Sequence, residues 1–204
     1  MKFLIIMITL LVTLLQADEV DNQVQSCKDG NITSCAKVGI VLTTGDNKDN
    51  QEKKELGLEL LRKACKYQDV KSCDILGDNY YKDKHYQAAK PYLIDGCSRG
   101  IKHACEGMGT MYRDAQEVRQ DDVQAREYYE KACELKSGDA CINVAIMYRG
   151  GFGVKITRSL EKKYYKKACD AGSEVGCDAF KRMDNKDKGI EEPSWFDRVK
   201  KLFN

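Results

Sequence analysis

The stretch that decides the fold is YYEKACELKSGDACINVAIMY, which runs from Tyr128 to Tyr148 and holds two cysteines eight positions apart. In its second half, Cys141, Ala145 and Tyr148 are spaced i, i+4 and i+7, which places them on one face of a helix. A short polar segment that contains glycine separates the two cysteines, as expected for a turn between helices. The stretch therefore predicts a helix, a turn and a second helix, with one cysteine on each helix.

The same pattern occurs five times along the chain. Every second interval between the ten cysteines is 8 residues, and the first members of the pairs recur at intervals of 38, 32, 36 and 36. Glycine or alanine follows the second cysteine by four positions in the first four copies, whereas the fifth has Lys181 there. A period near 36 with helical spacing, and without strong strand signals, predicts an all-α solenoid of five helix hairpins over residues 18–183.

The symmetry of the repeat selects one pairing of the cysteines, with a disulfide across each hairpin. Close packing of the two helices would supply the Cα separation of about 5.5 Å that a disulfide needs. Each bond closes a short loop, for which the chain-entropy model gives about 2.5 kcal/mol. The predicted pairs are Cys27–Cys35, Cys65–Cys73, Cys97–Cys105, Cys133–Cys141 and Cys169–Cys177.

The first 17 residues have the features of a cleavable signal peptide. A basic start at Lys2 precedes an apolar run of 13 residues from Phe3 to Leu15, and Ala17 provides a small residue at the cut. Thirteen apolar residues are short for a membrane span, although an uncleaved anchor is the alternative interpretation. We expect an exported protein, periplasmic or secreted, whose cysteines are oxidised.

Composition and charge exclude several classes of function. The formal net charge is +2 and no Lys/Arg block occurs, so no nucleic acid partner is expected. The chain has no C-x-x-C motif, and its two histidines, His85 and His103, are 18 positions apart, which argues against a zinc site. No cofactor or metal is predicted, no later segment is long enough to span a membrane, and a monomer is expected.

The repeat resembles the Sel-like repeat (SLR), an α/α hairpin related to the tetratricopeptide repeat. The resemblance rests on Tyr128-Tyr129-x-Lys131-Ala132-Cys133, on Cys141-x-x-x-Ala145-x-x-Tyr148, and on the glycine-rich link 150–154. With C-x7-C in every repeat and a signal peptide, the chain is most similar to the Helicobacter cysteine-rich protein family. That resemblance implies a right-handed superhelix whose concave face holds a protein, a peptide or a peptidoglycan-related ligand. It also implies the alternative function of binding and slowly hydrolysing β-lactams.

Two short motifs bear on the β-lactamase alternative. A serine β-lactamase needs Ser-x-x-Lys beside Lys-(Ser/Thr)-Gly, and the chain contains Ser34-Cys35-Ala36-Lys37 and Lys136-Ser137-Gly138. The two motifs lie three repeats apart, which predicts a separation on the order of 30 Å in a stack of helix layers. A cysteine nucleophile is disfavoured because all ten cysteines are expected to be oxidised. No catalytic residue is therefore assigned.

One turn carries a possible modification signal. The segment Asp29-Gly30-Asn31-Ile32-Thr33 resembles the acidic bacterial N-glycosylation sequon and falls in the first hairpin turn. A plain polar turn is the alternative interpretation.

The C-terminal segment differs from the repeats. Residues 184–192 are polar and are predicted to form a linker, and residues 193–204 are predicted to form an amphipathic helix. We expect this helix to cover the end of the last repeat, with contact to a membrane surface or a partner as the alternative. Its apolar residues are Trp195, Phe196, Val199, Leu202 and Phe203.

Overall fold

The computed structural model describes residues 18–44 and 50–190, and all of the regular secondary structure in these ranges is α-helix. The predicted signal peptide 1–17 and the predicted capping helix 193–204 lie outside the described residues. The helices are α1 (18–28), α2 (Ile32–Thr43), α3 (Gln51–Lys66), α4 (Val70–Lys82), α5 (Tyr86–Ser98), α6 (Lys102–Arg113), α7 (Asp122–Glu134), α8 (Gly138–Gly150), α9 (Arg158–Asp170) and α10 (Glu174–Asp187).

Successive helices form five hairpins, and a disulfide closes each of them. The Cα atoms of the paired cysteines are 4.3 to 4.8 Å apart, which confirms the close approach predicted from the repeat. None of the ten cysteines is free. The all-α class, the five hairpins and the disulfide within each hairpin are therefore confirmed.

The five hairpin turns share one backbone conformation. The residue five positions before each second cysteine has a positive φ: it is Gly30, Gly100 or Gly172 in three turns, and Gln68 or Lys136 in the other two. The next residue caps the second helix, and in four of the five turns its side chain accepts a hydrogen bond from the backbone N–H three positions ahead. These capping residues are Asn31, Asp69, Ser137 and Ser173, and Ile101 occupies the position without a side-chain cap.

The chain divides into two compact units, residues 1–96 and 97–204. In both units the most extensive packing joins neighbouring hairpins, with α2 on α3 in the first unit and α6 on α7 and α8 on α9 in the second. The small residue four positions after the second cysteine of the first four hairpins allows this approach. A Cβ on Gly39 would lie 2.8 Å from Leu61 Cγ, and a Cβ on Gly109 would lie 2.8 Å from the Tyr129 ring.

The last described helix departs from the predicted boundary. Residues 184–192 were predicted to be a linker, but α10 continues to Asp187. The added turn is held by charge, because Lys162 donates to both Asp184 and Asp187, at 3.0 and 2.6 Å. These ion pairs hold the C-terminal end of α10 against α9. An ion pair between Lys188 and Asp184, at i and i+4, stabilises the same end of the helix further.

Within residues 18–44 and 50–190, no helix combines the length and the apolar character that a bilayer span requires.

Candidate functional site

A small pocket in the second unit combines an apolar lining with several polar side chains. It has a volume of about 250 Å³ and lies among the end of α6, the loop that follows it, the start of α7, and α8 with the link beyond it. Concave, largely apolar sites with a few polar groups are the usual form of ligand sites. The lining residues of this pocket are Arg113, Gln120, Asp122, Tyr129, Asn143, Ile146, Met147 and Phe152.

The floor of the pocket is a rigid tyrosine. Tyr129 is 1% exposed, and its ring packs on Gly109 of the preceding helix. Its hydroxyl shares a hydrogen bond of 2.9 Å with the Thr110 hydroxyl, so the buried polar end of the ring is satisfied. Met147, 3% exposed, completes the floor. Since these side chains are fixed by core packing, the pocket exists before any ligand arrives.

The apolar rim is built by the glycine-rich link after α8. Gly151 and Gly153 have φ values of +74° and +63°, which glycine adopts without strain. The backbone N–H groups of Gly151 and Phe152 both donate to the Met147 carbonyl, at 2.8 and 3.1 Å, and close the helix end. The Phe152 ring turns back over Gly150, where a Cβ would lie 2.3 Å from it. Phe152 nevertheless remains 49% exposed, so its side chain is available for contact with a ligand.

The polar part of the lining includes a charged side chain, Arg113, and an uncharged one, Asn143. The Arg113 guanidinium lies 5.9 Å from the centre of the Tyr129 ring and makes two hydrogen bonds to Asp114, at 2.7 and 2.9 Å. These hydrogen bonds lower the pKa of Asp114 from its ordinary value. The Asn143 amide also lines the pocket and makes no hydrogen bond within the described residues. A side-chain amide offers both a donor and an acceptor, which matches the two polar groups of a peptide backbone.

The tyrosines at repeat-fixed positions serve packing. Tyr112 stacks on Tyr128, and Tyr148 stacks on Tyr164, with ring centres 5.7 and 5.6 Å apart. The Tyr148 and Tyr164 hydroxyls both donate to one carboxylate oxygen of Glu130, at 3.4 and 3.0 Å. Burial is the main cause that raises the pKa of Tyr164, and the hydrogen bond to Glu130 adds to it. These side chains hold helices together.

The two serines of the β-lactamase-like motifs have structural partners. Ser34 is buried and its hydroxyl hydrogen-bonds Ser26 at 3.0 Å, whereas Lys37 is exposed. Ser137 caps α8 by accepting from the Ala140 N–H at 3.1 Å and donates its own proton to Glu106. Both hydroxyls are therefore engaged in helix capping or packing.

Replacing Glu106 by glutamine should remove a pH-dependent loss of stability. Desolvation raises the pKa of Glu106 in the folded protein, so the native state favours the protonated form. The contribution of this group to stability is full below its unfolded pKa of about 4.3 and is lost as pH rises through the raised folded pKa. Glutamine keeps an oxygen for the Ser137 hydroxyl and does not titrate.

The measurement is the free energy of unfolding of wild type and Glu106→Gln from pH 4 to pH 7. We expect wild type to lose stability relative to the variant as pH rises across this window. Glu174→Gln, at the exposed start of α10, serves as the control. If the free energy of unfolding of wild type minus that of Glu106→Gln stays constant or rises with pH, the assignment is refuted.

The sequence patterns did not reveal the pocket. They did not select Arg113, Asn143 or Ile146, because these residues fall outside the positions that recur in every repeat. The glycine-rich link 150–154 includes Phe152, but nothing in its pattern assigns Phe152 to a site. An apolar residue within a glycine-rich turn was the available signal, since most turn residues are polar or glycine.

Comparison with known proteins identifies the repeat. The Sel1 repeat matches residues 33–66, 102–137 and 138–173, just over half of the chain. Each matched segment runs from the second helix of one hairpin to the first helix of the next, so the hairpins defined by the cysteines are offset by one helix from the family's repeat. The matched segments coincide with the helix pairs that pack most extensively. Disulfides such as Cys133–Cys141 therefore join consecutive Sel1 repeats.

Solved structures share the fold. A protective antigen of uropathogenic Escherichia coli, c5321, which displays an SLR fold, aligns with a TM-score of 0.67 and 18% identity over 82% of this chain and 36% of its own. A Sel1 repeat protein from Oxalobacter formigenes aligns with a TM-score of 0.62 and 19% identity over 80% of this chain and 48% of its own. The chain thus spans between a third and a half of these two structures.

A smaller structure is more similar in sequence. Helicobacter pylori cysteine rich protein B has 27% identity and a TM-score of 0.51 over 64% of this chain and 98% of its own. No curated protein matches the chain. Because the family's repeat covers more than half of the residues and the helices pack in its frame, the chain belongs to the Sel1 repeat family.

Proposed function

We propose that this protein is an exported scaffold that binds an extended segment of a peptide or protein, with the pocket of the second unit as an anchor site. The observation that carries the proposal is the pocket itself, which has a fixed tyrosine floor, an exposed Phe152 on its rim and an Asn143 amide without a hydrogen bond to any described residue. Repeat-fixed residues account for the packing, so the rim residues are available for recognition.

The size and lining of the pocket favour one apolar side chain of the partner. A volume of about 250 Å³ is small for a whole ligand but accepts a side chain such as leucine or methionine. Burial of such a side chain contributes about 1.5–3 kcal/mol, which makes the pocket an anchor within a longer contact. Asn143 is placed to hydrogen-bond the partner's backbone beside the anchor.

Export is part of the proposal. Five disulfides are consistent with an extracellular or periplasmic protein. The apolar run from Phe3 to Leu15 supports a cleaved signal peptide, and the cysteine spacing supports membership of the Helicobacter cysteine-rich group. The partner would then be another exported protein or a peptide of the cell envelope.

The test is selection from a displayed peptide library on the oxidised protein, followed by measurement of Kd for the enriched peptides. Ile146→Asp places a charge in the pocket and should weaken binding about tenfold or more, as loss of one buried side chain predicts. Val175→Asp is the matched control, because Val175 is 63% exposed and does not line the pocket. Enriched peptides that carry no common apolar residue and bind Ile146→Asp as tightly as wild type would refute the anchor site.

The alternative that the resemblance implies, binding and hydrolysis of β-lactams, lacks a specific supporting observation. Ser34 and Ser137 are 5% and 4% exposed and are hydrogen-bonded to Ser26 and Glu106. The peptide-binding scaffold is therefore the function that the site supports best.

A further inference from the structure

We infer that Asn31 is an acceptor site for an N-linked oligosaccharide. The tripeptide Asn31-Ile32-Thr33 is the acceptor pattern for this modification, and Asp29 precedes it by two positions. The inference is independent of the proposed peptide-binding function, and it requires that the chain is exported from a cell that has a transferase for this reaction.

The geometry of the turn leaves the reacting atom accessible. Asn31 Oδ1 accepts a hydrogen bond of 3.1 Å from the Ser34 N–H, and Asn31 Nδ2 has no partner within the described residues. The side chains of Asn31 and Thr33 are both exposed. Gly30, in the left-handed conformation at the tip of the turn, has no atom within 4 Å of the position of a Cβ. A glycan on Nδ2 would therefore leave the helix cap intact and extend from an open turn.

The needs of the fold do not explain this pattern. The same capping position holds Asp69, Ser137 and Ser173 in other hairpins, and aspartate and serine both cap helices about as well as asparagine. Only the first hairpin combines asparagine at the cap with a hydroxyl residue two positions later. The Thr33 hydroxyl makes no hydrogen bond within the described residues, so local structure does not require it.

The reaction transfers an oligosaccharide from a lipid-linked diphosphate donor, through a membrane-bound transferase. A bond forms between Asn31 Nδ2 and the anomeric carbon of the first sugar, and the bond from that carbon to the diphosphate oxygen breaks. The diphosphate leaves with the bonding electrons, and the amide nitrogen loses one proton.

The test is peptide mapping by mass spectrometry of the exported protein, purified from the cells that make it, after reduction and trypsin digestion. The peptide 29–37 should carry the added mass of several sugars. Peptide 49–53 is the internal control, because Asn50 also caps a helix and is exposed but is followed by Gln51-Glu52. An unmodified peptide 29–37, or a glycan on Asn50 as well, would overturn the inference.

The variant Asn31→Asp separates modification from folding. Aspartate retains the capping oxygen but lacks the amide nitrogen, so the added mass should be lost completely. Without the glycan, Tm of the variant should stay within about 2 °C of Tm of wild type. Thr33→Ala should abolish the modification equally. A glycan that persists in Asn31→Asp would show that the sugar is attached elsewhere and would overturn the inference.

Discussion

Reduction of all five disulfides should unfold the protein at 25 °C. Each bond closes a loop between cysteines eight positions apart, and the chain-entropy model assigns about 2.5 kcal/mol to a loop of this size. Five such contributions rival the 5–15 kcal/mol of total stability that is typical of a domain. Each bond also holds two consecutive helices together at a turn.

The measurement is far-ultraviolet circular dichroism before and after reduction, with the number of free thiols counted in the same sample. We expect loss of most of the helical signal once ten thiols are titrated.

The five disulfides should be reduced in an order set by their solvent exposure, because the attacking thiolate must reach a sulfur atom of the bond. Cys169 and Cys177 are both partly exposed, whereas Cys27 and Cys35 are 0% exposed, so the former pair should be reduced earlier. A fully reduced chain with unchanged helical signal and Tm would contradict this prediction.

Replacing Tyr129 by alanine should destabilise the second unit by about 3–5 kcal/mol, the range observed for large buried aromatic residues. Tyr129 is among the largest fully buried side chains, it packs on Gly109 between α6 and α7, and its hydroxyl is paired with Thr110. The alanine variant leaves a cavity at this junction and removes the floor of the pocket.

Denaturant unfolding of wild type and three variants measures the effect. Tyr129→Phe retains the ring and should lose only about 1 kcal/mol, the net value of a hydrogen bond, which separates packing from polarity. Tyr67→Ala is the control on a side chain that is 62% exposed, and we expect a change within about 0.5 kcal/mol. Equal destabilisation by Tyr129→Ala and Tyr67→Ala would show that Tyr129 does not hold the two hairpins together.

The five helix hairpins can be predicted from the sequence because cysteine recurs at the same two positions in each of them. The cysteine spacing alone predicts the hairpins, and Gly39, Gly109 and Ala145 at a fixed offset indicate which helix faces meet. The same close contact between helices constrains these positions in the first four copies, so a small residue recurs there and can be recognised in the sequence. The two left-handed turns at Gln68 and Lys136 were not predictable in this way, since residues other than glycine rarely adopt that conformation.

The site is less predictable than the fold. Arg113, Tyr129, Asn143 and Phe152 lie on α6, α7, α8 and the link after α8, and only the packing of these elements brings them together. The end of α10 was misassigned for a related reason. The polar sequence from Asp184 onward predicts a linker, but the ion pairs of Lys162 with Asp184 and Asp187 stabilise its first residues as helix.

The most direct test of the peptide-binding account is a nuclear magnetic resonance titration of the oxidised, ¹⁵N-labelled protein with the tightest peptide from the library selection. The account predicts saturable shifts that are largest at the backbone amides of Asn143, Ile146 and Phe152, and that are lost in Ile146→Asp. The largest shifts at α10, around the exposed Val175, with the pocket amides unchanged, would contradict it.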